Sequence, residues 1–118
     1  MKPALHHESE DCRAVSDILG RVGDKWTVLV VGYLSAGPMR FSELKRCIGG
    51  ISQKMLSQTL RELETHGLVQ RIDHRTVPPH VEYRLTDLGH SLSRALEPVD
   101  RWAEQHLDAV LKAKQTSA

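Results

Sequence analysis

The chain has 118 residues, 26% of them charged, and a formal net charge of +1. This length allows one domain with a modest core. No apolar run approaches the ~20 residues needed to cross a bilayer, and the first residues, MKPALHHESEDC, lack the apolar centre of a signal peptide. We therefore expect a cytoplasmic protein with no membrane partner, whose two cysteines are thiols because the cytosol is reducing.

Residues 1–10 have no periodic apolar pattern and predict a flexible tail, which leaves residues 11–118 as a single domain. Adjacent His6 and His7 have no cysteine or carboxylate partner at ligand spacing, so we expect no metal site. No cofactor-binding motif is present either.

A first helix is predicted over Arg13 to Arg21, and Cys12 stands at or just before its first turn. There the positive end of the helix dipole and Arg13 favour a thiolate, whereas Glu10 and Asp11 oppose it. The residues alone leave an ordinary thiol and a sensor equally open.

The middle of the chain predicts three further elements in order. Asp24 can cap a buried helix over Lys25 to Ala36, and Met39 with Arg40 can form a very short strand. A short third helix covers Phe41 to Cys47, and we expect Cys47 to pack among apolar neighbours.

The stretch from Ile51 to Gly67 predicts a fourth helix, with Ser52 as its N-cap and Gly67 at its end. One side carries an apolar stripe at helical spacing, namely Leu56, Leu60 and Leu63. The opposite side carries groups that suit DNA phosphates and base edges, namely Lys54, Ser57, Gln58, Arg61 and Thr65. A short helix, a Gly-containing turn and this longer helix form a helix-turn-helix pattern.

The segment behind that helix predicts a β-hairpin. Leu68 to Arg75 is one strand, Val81 to Leu85 alternates as the second, and Pro78 with Pro79 marks the loop between them. The fold class is therefore mainly α with a small antiparallel β hairpin, a winged helix-turn-helix. The positive charge is concentrated there, with eight Lys or Arg against five acidic residues in positions 38–85.

Thr86 can cap a long carboxy-terminal helical region over residues 86–112, which we interpret as dimerisation helices. An approximate heptad seam supports that view: Leu88, Leu92, Leu96, Val99, Ala103, His106 and Val110. Pro98 predicts a kink or a break within it. The alternative is that this region packs back on its own domain.

With these residues in place, the chain resembles the HxlR-type family of bacterial transcriptional regulators, which are MarR-like winged helices. The matching pieces are Cys12, GDKW at 23–26, RFSELKR at 40–46, GISQKMLSQTLRELETHGLVQR at 50–71, VPPHVEYRLTDLG at 77–89 and Trp102.

The resemblance implies a homodimer, built from the first and the carboxy-terminal helices, that binds double-stranded operator DNA. Carried over residue by residue, it places DNA contacts at Gln53, Lys54, Ser57, Gln58 and Arg61, with Arg40 and Arg75 on flanking phosphate or minor groove. It also implies that Cys12 is a candidate redox or electrophile sensor, although Arg13 stands where the family often has proline. A small-molecule effector is a further possibility in this family.

Two other classes of function would require different sequence features. Catalysis is not expected, because no Ser, His and Asp arrangement, CxxC pair or phosphate-binding loop is present. A winged helix that contacts a protein instead of DNA would favour aromatic or Met anchors on the fourth helix, and Met55 alone does not form such a patch.

Overall fold

The computed structural model describes residues 10–117. In chain order the elements are α1 (Glu10–Val22), α2 (Lys25–Leu34), α3 (Phe41–Cys47), α4 (Gln53–Thr65), β1 (Val69–Asp73), β2 (Val81–Leu85), α5 (Asp87–Gln105) and α6 (Leu107–Thr116). The predicted tail, including His6 and His7, lies outside the described residues except for Glu10, which begins α1. No helix in the described range is both long and apolar enough to span a membrane.

The core lies where α2 and α4 cross beneath the hairpin. Its buried side chains come from six elements and from the segment between α3 and α4. They are Val30, Val31, Leu34, Leu44, Ile48, Ile51, Leu56, Leu60, Leu63, Val69, Leu85 and Leu96. The predicted stripe of α4 is therefore confirmed as core, and the burial of these apolar surfaces drives the packing.

The three predicted N-caps are present as hydrogen bonds. Asp24 Oδ1 accepts from the Trp26 amide at 2.8 Å, Ser52 Oγ from the Met55 amide at 3.0 Å, and Thr86 Oγ1 from the Gly89 amide at 3.1 Å. Each bond satisfies an amide that has no partner within its own helix. These caps fix where α2, α4 and α5 begin.

The hairpin is antiparallel, with Val69 opposite Leu85 and Asp73 opposite Val81. This hairpin, with the loop of residues 74–80 between β1 and β2, is the wing. Met39, which lies in the predicted short strand, forms a bridge to it: the Met39 amide donates to the Tyr83 carbonyl at 3.0 Å, and the Met39 carbonyl accepts from the Tyr83 amide at 2.8 Å. The backbone just before α3 is thereby attached to the wing.

The carboxy-terminal helices differ from the prediction in two ways. α5 continues through Pro98, so the helix does not break there, and the break comes at His106, which separates α5 from α6. A kink at Pro98 stays a prediction. Residues around Pro98 are exposed, so the Arg94 carbonyl that loses its helical partner can bind water. The predicted heptad seam does not form one continuous exposed surface. Leu96 is buried in this domain's own core, and Leu92 packs against that core.

Smaller differences concern element ends and one thiol. α1 begins three residues earlier than predicted, α2 ends two residues earlier, and β1 stops at Asp73. Cys47 is exposed, so the expectation that it packs among apolar side chains is wrong. It occupies the last turn of α3, whose inward side is filled by Leu44, with Ile48 buried directly after the helix.

Large apolar side chains remain exposed on α1, α5 and α6. They are Val15, Ile18, Leu19, Leu88, Val99, Trp102, Leu107, Val110 and Leu111. Neither α1 nor α6 contributes a buried residue to the domain. The three helices are amphipathic, and the rest of the described chain does not cover these apolar side chains.

Candidate nucleic-acid interface

The polar face of α4 is held outward by its buried face. Leu56, Thr59, Leu60 and Leu63 are buried, so the helix cannot rotate about its axis without exposing them. The residues at complementary helical positions then face solvent, as the 3.6-residue period requires.

Most of the predicted DNA contacts on α4 lie on this exposed face. Gln53, Lys54, Gln58 and Arg61 are exposed, and Ser57 is half-buried. The ammonium of Lys54 and the guanidinium of Arg61 form no hydrogen bond or ion pair with the described residues, while Gln58 Nε2 donates a long bond of 3.4 Å to Glu62. These donors are available to an external acceptor.

The turn before α4 sets the angle of the helix. Gly50 has a φ of +83°, a left-handed conformation that favours glycine, and Ile51 is buried immediately after it. Gly67 has a φ of +73° just past the other end of the helix. Both ends of α4 are thus fixed by local backbone geometry and burial.

A cleft of about 260 Å³ separates α4 from the wing. Ser57 and Arg61 line it from the helix, and Arg71 and Tyr83 line it from the strands. Arg71 and Tyr83 are not among the DNA contacts predicted from the sequence. Strand alternation could have identified them, because they are cross-strand partners on the same face as Val69 and Leu85.

Arg40 and Arg75, which are predicted to contact flanking phosphate or minor groove, are both exposed. Arg40 is exposed at the start of α3, where its amide donates to Glu43 Oε1 at 2.9 Å. Arg75 is exposed in the wing loop with a φ of +54°, and its amide donates to Asp73 Oδ1 at 2.9 Å. The Asp73 bond supports a conformation that is unfavourable for arginine.

The wing also carries a cluster of titratable side chains. The pKa of the Glu82 carboxyl lies below its usual value, mainly because His74 donates a hydrogen bond to it and also because the imidazoles of His80 and His74 are close. His74 Nε2 is 2.7 Å from Glu82 Oε1. Glu82 is therefore the acidic centre of a small cluster at the base of the wing loop.

α1 contacts α4 through an ion pair. Arg21 of α1 pairs with Glu62 of α4, and its guanidinium is also 3.8 Å from Asp24. Cys12 is half-buried in the first turn of the same helix. α1 therefore carries the candidate sensor at one end and a charged contact to α4 at the other.

A second, largely apolar cleft of about 380 Å³ lies between α1, the β1 entrance and α5. Its walls include Ile18, Val22, Leu68, Leu88 and Leu92. An apolar cleft of this size suits an apolar small molecule.

This arrangement can be compared with known proteins. The family model described as HxlR-like helix-turn-helix matches residues 21–110. The chain belongs to the HxlR family. Its winged-helix fold and its family assignment are as the sequence analysis predicted.

Similar sequences and solved structures extend this result. The chain is 42% identical over 110 residues to the uncharacterized HTH-type transcriptional regulator YtfH of Escherichia coli, covering 93% of this chain and 86% of that protein. The solved structure of the redox regulator HypR in its reduced form superposes with a TM-score of 0.78 and 35% identity, covering 84% and 98% of the two chains. The reduced transcriptional regulator YodB from B. subtilis gives 0.68 and 34%, covering 82% and 92%. HxlR proteins are transcriptional regulators, and this chain is one of them.

Proposed function

We propose that this HxlR protein is a homodimer that binds operator DNA sequence-specifically through α4 and the wing. The observation that carries the proposal is the outward face of α4, where Lys54 and Arg61 have no partner within the described chain and Gln53 and Gln58 stand beside them. Cationic groups supply affinity for phosphate, and the amides supply base-edge donors and acceptors.

The homodimer is supported by the shape of the protomer. Its radius of gyration is 16.9 Å, whereas a compact chain of this size has about 13 Å. The excess comes with the exposed apolar faces of α1, α5 and α6. A second copy would bury those faces around a two-fold axis.

Dimerisation also gives a reason for the geometry of DNA binding. Two copies of α4 related by a two-fold axis can enter successive major grooves about 34 Å apart. An operator for this protein should then be an inverted repeat with that half-site spacing. The wing loop, with Arg75 near its start, would reach the flanking backbone or minor groove.

The direct test is fluorescence anisotropy of the reduced protein with DNA from beside its own gene, at several salt concentrations. Tight binding that weakens with salt and survives unrelated competitor DNA supports the proposal. Equal, weak binding to both DNAs, at every inverted-repeat site tried, contradicts it and favours a winged helix that contacts a protein.

Arg61→Ala is expected to weaken binding to the best operator by about 1–3 kcal/mol, which is roughly a 5- to 150-fold loss. The side chain is exposed and unpaired, so the free energy of unfolding should change little. Anisotropy titrations at one fixed salt concentration measure the loss, and a salt series separates a phosphate contact from a base contact.

Lys112→Ala is the matched control, because it removes one exposed positive charge from α6 rather than from α4. Its operator affinity should stay close to that of the unchanged protein. If both variants lose affinity equally, the effect is one of net charge, and the assignment of α4 as the reading helix is wrong.

We further propose that Cys12 makes DNA binding sensitive to oxidants or electrophiles. The support is the similarity to HypR and YodB together with the half-buried position of Cys12 in the first turn of α1. Diamide would take two electrons and two thiol protons from a pair of Cys12 residues, one per subunit, and leave a disulfide between them.

Treatment with diamide is expected to change operator affinity by fivefold or more, on the order of typical allosteric couplings. Cys12→Ser should abolish the response, and Cys47→Ser should retain it because Cys47 lies at the end of α3, outside α1. Anisotropy before and after treatment, with non-reducing electrophoresis, measures both effects. An identical response in Cys12→Ser would exclude Cys12 from the mechanism.

A further inference from the structure

Three potential metal ligands meet at the base of the wing loop. The register of the hairpin places His74 opposite His80, one step beyond the pair formed by Asp73 and Val81. The His74 amide donates to the His80 carbonyl at 2.9 Å, so the two backbones are fixed at this point. Glu82 follows His80 by two residues and therefore lies on the same face of the hairpin.

The side chains use this register to approach one another. The two imidazole rings have centroids 4.5 Å apart, and Glu82 Oε1 lies 2.7 Å from His74 Nε2 and 3.5 Å from His80 Nε2. One ligand atom from each residue falls within 4.8 Å of the others. Ligand atoms around a tetrahedral zinc ion lie about 3.3 Å apart, given bonds of about 2.0–2.1 Å.

One of these ligand atoms is poorly satisfied within the protein. His80 Nε2 is shielded from solvent, and its contact with Glu82 Oε1 at 3.5 Å is too long for a strong hydrogen bond. A shielded nitrogen in this position is unfavourable, because it loses water and gains only a weak replacement. A bound cation between the three side chains would satisfy it.

We propose that the wing binds one divalent transition-metal ion of the zinc class through His74, His80 and Glu82. Two imidazoles and one carboxylate form a ligand set typical of zinc, with a fourth position left for water. Magnesium and calcium prefer sites made wholly of oxygen ligands, so they are expected to bind weakly here.

No metal ligand is predicted from the sequence in this part of the chain. His74 and His80 are separated by a loop of five residues, and only the hairpin register brings them together. The signal in the sequence is a His-x-Glu pattern formed by His80 and Glu82 at the start of β2, together with His74 directly after β1. His6 and His7, which the sequence analysis did consider, lie outside the described residues.

The metal site would control the wing. A divalent ion closes residues 75–79 into a loop fixed at both ends, and it adds positive charge beside Arg75. The next expectation rests on the proposed function. The metal should increase operator affinity through this loop, because its positive charge would face DNA phosphate.

The first experiment measures metal binding without DNA. Zinc alone is titrated into the reduced, full-length, ¹⁵N-labelled protein, and the affinity is measured by competition with a chromophoric chelator. The amide signals of residues 73–83 should shift. His80→Ala and Glu82→Gln should each weaken zinc binding on the order of 100-fold at this site.

His90→Ala is the matched control, because His90 lies on α5 and outside the cluster. It should keep the full affinity and the same amide shifts. Zinc binding at His6, His7 or the cysteines would persist in every variant, so the difference between His80→Ala and His90→Ala is decisive. Equal affinities in these two variants, or amide shifts confined to other regions, would overturn the metal site.

The second experiment repeats the operator titration with zinc and with a chelator, for the unchanged protein and His80→Ala. A zinc-dependent gain of fivefold or more that is absent in His80→Ala supports control of the wing. Operator binding that is identical with and without zinc overturns that control while leaving the proposed DNA binding intact. Zinc-induced wing shifts without operator binding overturn the DNA proposal and leave the metal site standing.

Discussion

Gly89→Ala is expected to destabilise the domain by about 2–4 kcal/mol. A Cβ at this position would lie 2.1 Å from the Leu68 carbonyl oxygen and 3.1 Å from Leu85 Cδ2. The Leu68 carbonyl cannot easily withdraw, because it accepts the Thr86 amide at 3.0 Å. The substitution must therefore push α5 away from the start of the wing.

Gly32→Ala is the matched control within another helix. A Cβ there meets no heavy atom within 4 Å, so the lower backbone entropy of alanine should raise stability by about 0.5–1 kcal/mol. Urea denaturation of both variants measures the two effects with opposite signs. Unchanged stability in Gly89→Ala would mean that α5 does not approach Leu68 as closely as described.

Val99→Glu is expected to separate the proposed dimer into monomers. Val99 is 59% exposed on α5 in the single chain, so a charge there should leave the protomer folded. In a dimer it would place an uncompensated charge in an apolar interface, at a cost of about 3–5 kcal/mol. Analytical ultracentrifugation should show loss of the dimer, and operator affinity should fall on the order of 100-fold or more because the two half-sites are no longer bound together.

Val77→Glu provides the comparison for oligomeric state, since Val77 is 97% exposed in the wing loop and distant in sequence from α5 and α6. It should remain dimeric at the same concentration. A Val99→Glu protein that also stays dimeric would show that the subunits meet elsewhere.

The ends and the buried face of α4 could be predicted from interactions between residues that are close in the sequence. Ser52 and Gly67 mark the ends of α4 through a side-chain cap and a left-handed backbone, and both effects act within a few residues. The apolar stripe of α4 has one helical period and therefore identified its own buried face. Short-range rules of this kind do not depend on the rest of the fold.

The errors arose where distant groups decide the outcome. The position of Cys47 depends on which neighbours fill the core beside it, and Pro98 is tolerated because its surroundings are exposed. Leu96 belongs to this domain's core rather than to a continuous seam. Likewise, the proximity of His74 and His80 follows from strand register, which no single segment contains.

The residue-level contacts with DNA stay predictions for a related reason. Exposure identifies which side chains are available, such as Gln53 and Arg61, but the bases that they meet belong to the operator. Variants at these positions, tested against altered half-sites, are the route to that assignment.

The ion pair between Arg21 of α1 and Glu62 of α4 implies that the proposed regulation acts in both directions, from Cys12 to DNA and from DNA to Cys12. If a change at Cys12 reorients α1 and this reorientation biases α4, then occupation of α4 by DNA must bias α1 by the same free energy. The operator should thus act as an effector of the thiol. The equilibrium between reduced and oxidised Cys12 should differ between free and DNA-bound protein by the factor that separates the two operator affinities, and Glu62→Gln should diminish both differences together.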